Sequence, residues 1–187
     1  MKIYLLRHGQ TDWNVEGRLQ GLKNIPMNDN GVKQMTEIGK HLSDIHFQVD
    51  VIIASPLDRA KESAKIIAEK IGFQGKIIYD EDFLERSFGA AEGLIWNKDI
   101  NLEDEKYSAE SVEDVCERGK RAVGKYLSND GKNILIVAHG AILSAVKHAL
   151  SQGKLEYYDS TFPIIQGNIL CCEIDNDDKV NFYNLFQ

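Results

Sequence analysis

Short apolar runs alternate along this chain with stretches in which apolar residues recur every three or four positions. Ile3 to Leu6 is the first run and predicts a buried strand. Val32, Met35, Ile38, Leu42 and Ile45 follow at helical spacing, and Val51-Ile52-Ile53-Ala54 predicts a second buried strand. Ser55-Pro56-Leu57-Asp58 reads as a helix start, with Ser55 the N-cap, Pro56 in the first turn and Asp58 three residues after the cap. Leu57, Ala60, Ala64, Ile67 and Ile71 give that helix its apolar face, and Ile77-Ile78 suggests a further short strand. Ser111 and Asp114 can cap a helix whose inner face includes Val115, Ala122, Val123 and Tyr126. Ile134 to Ala138 is the strongest strand pattern, with a helix from about Ala141 to Leu150 behind it. Asn168 to Ile174 and Val180 to Tyr183 read as a closing strand pair, turning at Asn176-Asp177-Asp178.

Continuously apolar strands that alternate with helices predict an α/β fold in three layers: a mostly parallel sheet with helices on both faces. The 187 residues suit one domain spanning residues 1–187. Residues 86–111 have no clear period and read as a small insertion or lid over one edge of the sheet, or as an ordinary surface loop.

Composition narrows the picture. With 43% hydrophobic and 27% charged residues the chain can build a full core, and disorder is not expected. No apolar run approaches the roughly 18 residues that span a bilayer. The opening Met1 to His8 is too short an apolar stretch for a signal peptide, so the expected location is the cytoplasm. Of the three cysteines, Cys171 and Cys172 are neighbours in a strand and point to opposite faces, which argues for buried thiols rather than a disulfide framework or a zinc site. The net charge of −7 disfavours nucleic acid and anionic membranes as partners, and it makes any local cluster of cations more informative.

Such a cluster is predicted. In open α/β sheets ligands bind beyond the carboxyl ends of the strands. Arg7-His8-Gly9 follows the first strand and His139-Gly140 follows the strand 134–138; the strand 51–54 leads within a helical turn to Arg59. If these strands are parallel neighbours, two imidazoles and two guanidiniums converge. Arginine forks match phosphate oxygens, Gly9 and Gly140 allow close backbone approach with free N–H groups, and the helix opening at Gly140 offers its positive end. A phosphate dianion fits this set best. Taken singly each residue is ordinary: His41, His46 and His148 lie in helical segments and read as structural, and a lone Arg7 or Arg59 would be a solvated cation. Two His-Gly pairs that each end an apolar strand are harder to dismiss. No H-x-H or H-E-x-x-H spacing occurs, and Arg7 beside His8 would repel a cation, so neither metal nor cofactor is expected.

Leu6-Arg7-His8-Gly9-Gln10-Thr11-Asp12-Trp13-Asn14, Gly17-Arg18-Leu19-Gln20-Gly21, Ser55-Pro56-Leu57-Asp58-Arg59-Ala60, Leu84-Glu85-Arg86-Ser87-Phe88-Gly89 with Glu92-Gly93, and Val137-Ala138-His139-Gly140 occur in this order. In these elements the chain resembles the histidine phosphatase superfamily, the phosphoglycerate-mutase-like proteins. The resemblance implies His8 as nucleophile and Glu85 as proton donor, with His139, Arg7 and Arg59 completing the catalytic set. Arg7, Asn14, Gln20, Gly21, Arg59, His139 and Gly140 would bind phosphate or substrate. The acidic run Asp80-Glu81-Asp82 could make Glu85 one more solvated acid; only the motif singles it out. Where the family often has a Pro-Gly-Gly-Glu-Ser-like entry to the helix after the lid, this chain has Ser108-Ala109-Glu110-Ser111, and Leu94 to Tyr107 is short and acidic. The implied activity is metal-independent hydrolysis of small phosphorylated metabolites through phosphohistidine. The alternatives are a phosphoglycerate-type phosphomutase and a non-catalytic phosphate-binding protein.

Overall fold

The computed structural model describes residues 1–127, 131–175, 177 and 179–186. Its elements, in chain order, are β1 (Lys2–Arg7), α1 (Asp12–Val15), α2 (Asp29–Asp44), β2 (Val51–Ala54), α3 (Asp58–Lys70), β3 (Ile78–Tyr79), α4 (Val112–Leu127), β4 (Ile134–Ala138), α5 (Gly140–Leu150), β5 (Ile169–Ile174) and β6 (Val180–Asn184). They build a six-stranded sheet of order β3-β2-β4-β1-β5-β6. The pairings β3–β2, β2–β4 and β4–β1 are parallel; β5 runs antiparallel to both β1 and β6. The mostly parallel three-layer architecture expected from the strand–helix alternation is the one observed.

Alternation of side chains across the strands divides the core in two. Ile3, Leu5, Ile53, Ile134, Ile136 and Ala138 face Val115, Ala122, Val123, Ile142 and Val146 of α4 and α5. Tyr4, Leu6, Ile52, Ala54, Leu135 and Val137 face Met35, Ile38, Leu42, Ala64 and Ile67 of α2 and α3. Cys172 lies in the first core and Cys171 in the second; both are buried free thiols. Because β4 sits between β1 and β2, covered on both sides, all five of its residues are buried.

Local signals mostly place the helices. Ser111 Oγ accepts the Asp114 N–H at 3.0 Å and caps α4, and Asn28 Oδ1 accepts the Gly31 N–H at 2.9 Å and caps α2. Three expectations are corrected. Ser55 does not cap α3: the helix begins at Asp58 with Leu57 as its N-cap and no side-chain cap bond, and the Ser55 hydroxyl lies 2.8 Å from His139 Nε2. Ile45 falls just past the end of α2 and is exposed rather than on its inner face, and His46 follows it in a left-handed turn. The third strand is Ile78–Tyr79 rather than Ile77-Ile78. The expected turn at Asn176 to Asp178 has residues 176 and 178 outside the described residues.

Residues 86–111 carry two short 3-10 turns, Gly89–Ala91 and Glu105–Tyr107. The segment is stitched to the first loop: Leu19 N–H donates to Leu94 O at 3.0 Å, Gly93 N–H to Leu19 O at 2.8 Å and Trp96 N–H to Gly17 O at 2.8 Å.

The central strand should therefore dominate stability. Ile136 has no exposed surface, and Ile136→Ala should lower the unfolding free energy by about 2–5 kcal/mol through lost burial and a residual cavity. Urea denaturation checks this; a loss well under 1 kcal/mol would mean that the layers repack around β4.

Candidate active site

The sheet order brings the predicted cluster together. Arg7 pairs with Ala138, the His8 N–H donates to Ala138 O at 2.9 Å, and the Ser55 N–H donates to Val137 O at 3.0 Å. Arg7-His8, His139 and Ser55 thus leave three adjacent parallel strands side by side, and the first turn of α3 adds Arg59. The rings of His8 and His139 lie 5.1 Å apart between centroids. His8, His139 and Arg59 are buried. Gly9 is needed for close approach: a Cβ there would meet Gly31 O and Met27 Sδ at 2.6 Å. Its N–H, expected to be free, donates instead to Ser63 Oγ at 3.0 Å. At Gly140 the expected steric need is absent, since a Cβ would sit 3.7 Å from Arg7 Cζ, an ordinary contact.

His8 is oriented by its neighbour. Its Nδ1 lies 2.7 Å from Gly9 O. A carbonyl only accepts, so Nδ1 carries the proton and Nε2 carries the lone pair. Burial, together with Arg59 and Arg7, pushes His8 well below the usual histidine value near 6.5, against the Gly9 bond that pulls the other way. Burial, Arg59, His8 and Arg7 do the same to His139. Both rings are therefore neutral at physiological pH.

The Arg59 guanidinium is held by carbonyls; no ion pair holds it among the described residues. Arg59 donates from Nη1 to Lys23 O at 2.8 Å and from Nη2 to Gly21 O at 2.9 Å. Its Nε and that of Arg7 are buried without a partner among the described residues. Burial brings Arg59 down to about 10, with Glu85 opposing and Arg7 reinforcing the shift, so it remains a cation at neutral pH. Arg7 is lowered by burial, with Glu85 opposing. Two cations with buried, unpartnered Nε donors beside two neutral imidazoles could receive an anion.

The remaining candidates line the first loop. Gly21 has a positive φ of 52°, and a Cβ there would fall 2.1 Å from Glu92 Oε1. Gln20 is buried, and its Oε1 has no partner among the described residues. Asn14 is drawn inward: its Oδ1 accepts from the Thr11 N–H at 3.1 Å and from Gln166 Nε2 at 3.0 Å, completing a capping box on α1.

The acidic run separates by role. Asp80 accepts from Lys125 and from the Tyr126 hydroxyl, and Asp82 from Arg121, all on α4. The bond from Arg121 holds Asp82 down at about 2 despite partial burial. Glu85 instead turns toward the site. Its Oε1 accepts the N–H groups of Arg86 at 2.9 Å, Ala141 at 3.1 Å and Ile142 at 3.2 Å. Oε2 receives only a long contact of 3.4 Å from Ala141. The positive end of α5, expected to face a phosphate, is thus occupied by the Glu85 carboxylate.

Three residues escaped the sequence reading. Gln166 Nε2 donates to His8 O at 3.1 Å and to Asn14 Oδ1, tying the His8 loop to the approach to strand β5; it lies in irregular chain with no signal to mark it. Arg118 clasps the Glu85 loop through Leu84 O at 2.6 Å, Asp82 O at 3.0 Å and Glu85 O at 3.2 Å, and pairs with Glu110. It stands on the apolar stripe of α4 between Val115 and Ala122, and a cation in that position was its signal. Ser55 was read as a cap. Among the described residues no group of three or more His, Cys, Asp or Glu is placed to hold a metal ion, and no helix is long and apolar enough to cross a membrane.

The model of the histidine phosphatase superfamily, branch 1, matches residues 3–183. The chain belongs to this superfamily. It is 38% identical over 159 residues to the phosphatase PhoE of Bacillus subtilis, covering 82% of this chain and 79% of that one. It is 33% identical over 173 residues to a metal-independent phosphoserine phosphatase of Arabidopsis thaliana, covering 82% and 72%. A 2,3-bisphosphoglycerate-dependent phosphoglycerate mutase of Allorhizobium ampelinum is 28% identical over 172 residues, covering 80% and 79%. Among solved structures, YhfR of Bacillus stearothermophilus superposes with a TM-score of 0.79 at 26% identity, covering 96% and 94%.

In this histidine phosphatase the neutral imidazoles make stability pH-dependent. In the unfolded chain both histidines take a proton near 6.5, whereas the folded site resists it until well below. Below about pH 6.5 the unfolded state binds more protons, so stability should fall with falling pH. Urea midpoints between pH 7.5 and 5.5 should decline, and a His8→Gln, His139→Gln double variant should show a flatter decline. Equal slopes would contradict this origin.

Proposed function

We propose that the chain is a metal-independent phosphomonoesterase of the cytoplasm that acts on small phosphorylated metabolites through phosphohistidine on His8. The observation that carries this reading is the Nδ1 bond of His8 to Gly9 O, which leaves the Nε2 lone pair for attack in a pocket of cations. Nε2 bonds to phosphorus as the ester P–O bond breaks, splitting one displacement into two. Arg7, Arg59 and His139 stabilise the charge on the equatorial oxygens. Glu85, which must be protonated on Oε2, the oxygen less engaged by backbone amides, when substrate is bound, gives that proton to the departing alkoxide and then takes one from the water that cleaves phospho-His8. Asn14, Gln20, Gly21 and Gly140 complete the phosphate and substrate contacts. Residues 86–111 act as a lid on a single catalytic domain spanning 1–187. The relatives named phosphatases support hydrolysis, and the short acidic lid favours access of water to the intermediate.

A phosphatase screen over a metabolite panel with EDTA present tests the activity. His8→Ala should lower p-nitrophenyl phosphate turnover by about 10⁴-fold or more without unfolding the chain. Near wild-type turnover in that variant, or activity lost to EDTA and restored by zinc or magnesium, would overturn the mechanism. Incubation with 3-phosphoglycerate should yield little 2-phosphoglycerate, and efficient isomerisation would promote the mutase reading.

Glu85 is tested by leaving group. Alkyl esters need the proton, and p-nitrophenolate needs it little. Glu85→Gln should lower kcat/KM by about 10²–10⁴-fold for alkyl phosphates and much less for p-nitrophenyl phosphate. An unchanged ratio between the two esters would remove Glu85 from the proton-donor role.

A further inference from the structure

We propose that Ser55 is a positioning residue that fixes the tautomer of His139, so that Nδ1–H rather than a lone pair faces the bound phosphoryl group. The inference rests on reading the cluster as a phosphoryl site, but its central claim is about a proton position that can be measured without turnover.

Ser55 and His139 have no exposed surface. The serine is fixed from both sides. Its N–H is bonded to Val137 O at 3.0 Å, two residues before His139 on the neighbouring strand. Pro56 follows it and confines the serine backbone to extended conformations. Its hydroxyl therefore meets the imidazole with little freedom, and Oγ lies 2.8 Å from Nε2. The Leu57 N–H points at the same oxygen from 3.4 Å. An oxygen that receives an N–H on one side is best placed to give its own proton on the other, which makes Nε2 the acceptor. The ring proton then belongs on Nδ1.

Nδ1 is enclosed and has no partner among the described residues. A buried donor without an acceptor is costly, and such atoms call for an explanation. Here the explanation is the ligand: the cations Arg7 and Arg59 draw an anion into the pocket, and a phosphoryl oxygen is the acceptor that Nδ1–H lacks. The opposite tautomer would direct a lone pair at that oxygen and oppose binding. His139 is neutral in this environment, so it has a single N–H, and where that proton sits decides whether the ring attracts or repels the phosphoryl group. A capping role for Ser55 does not account for the contact, because α3 is capped by Leu57 without any side-chain bond.

The tautomer can be read from the imidazole nitrogens of ¹⁵N-histidine-labelled protein, with His139→Gln used to assign the signals among the five histidines. In the wild type Nδ1 should carry the proton and Nε2 the lone pair, and added inorganic phosphate should shift the Nδ1–H signal. In Ser55→Ala the proton should move to Nε2 in part or whole. With it kcat should fall by about 10²-fold, the cost of losing one oriented donor, and inorganic phosphate should inhibit more weakly. Ser55→Thr keeps the hydroxyl and should recover the Nδ1–H signal. A wild type with the proton on Nε2 overturns the proposal even if no variant folds, and so does a folded Ser55→Ala that keeps Nδ1–H. If the tautomer behaves as stated while no phosphate ester is hydrolysed, the functional reading fails and the role of Ser55 stands.

Discussion

The parallel pairing of β1, β4 and β2 at their carboxyl ends is the constraint on which the rest depends. Two backbone bonds, His8 N–H to Ala138 O and Ser55 N–H to Val137 O, set the register at which the chain leaves the sheet. Arg7, His8, Ser55, Arg59 and His139 all lie within a few residues of those bonds. The core on both sides of β4 holds the strands flat against one another, and burial of all five β4 residues makes that register hard to shift. Arg7, His8, Ser55 and His139 are thus placed at the ends of fully packed strands, while Gln20, Gly21 and Glu85 reach the cluster from loops.

Gathering cations in a buried place opposes folding unless other groups compensate. The structure answers with neutral dipoles and one anion. Carbonyls of Lys23 and Gly21 take the Arg59 guanidinium, both histidines stay uncharged, and Glu85 contributes the opposing charge felt by both arginines. The Nε atoms of Arg7 and Arg59, without partners among the described residues, mark where the compensation is incomplete and where an anion would complete it. Function and residual strain coincide in the same few atoms.

Much of this was legible in the sequence, and what was not has physical reasons. Apolar runs gave β1, β2 and β4 to within a residue, because strands buried on both faces need uninterrupted apolar side chains. The convergence of Arg7, His8, Arg59 and His139 followed from sheet geometry alone. Partners across space were harder. Ser55 matched a capping pattern, but α3 begins two residues too late for it to be the N-cap, and its hydroxyl meets the imidazole of His139 instead. The amides of Ala141 and Ile142 looked free for a ligand because nothing local to α5 announces that Glu85, more than fifty positions earlier, folds onto them. Gln166 stabilises the His8 loop from a segment without period or motif, and Arg118 was visible only as a cation out of place on an apolar stripe.

The stitching of residues 93–96 to residues 17–19 reaches further than the edge of the molecule. The loop that bonds to that outer segment continues through Gln20 to Gly21 and Lys23, whose carbonyls hold Arg59, and Glu92 Oε1 ties the same outer segment to the Leu22 N–H at 2.9 Å. The outer segment and the carbonyls around Arg59 are thus one mechanical body. On the proposed function, a displacement of the outer segment would pull on those carbonyls, so admission of a bulky ester and tight binding of its phosphate would trade against each other through a single loop. A substitution in the outer wall, far from any reacting atom, would then register first as a change in how firmly the phosphate is held.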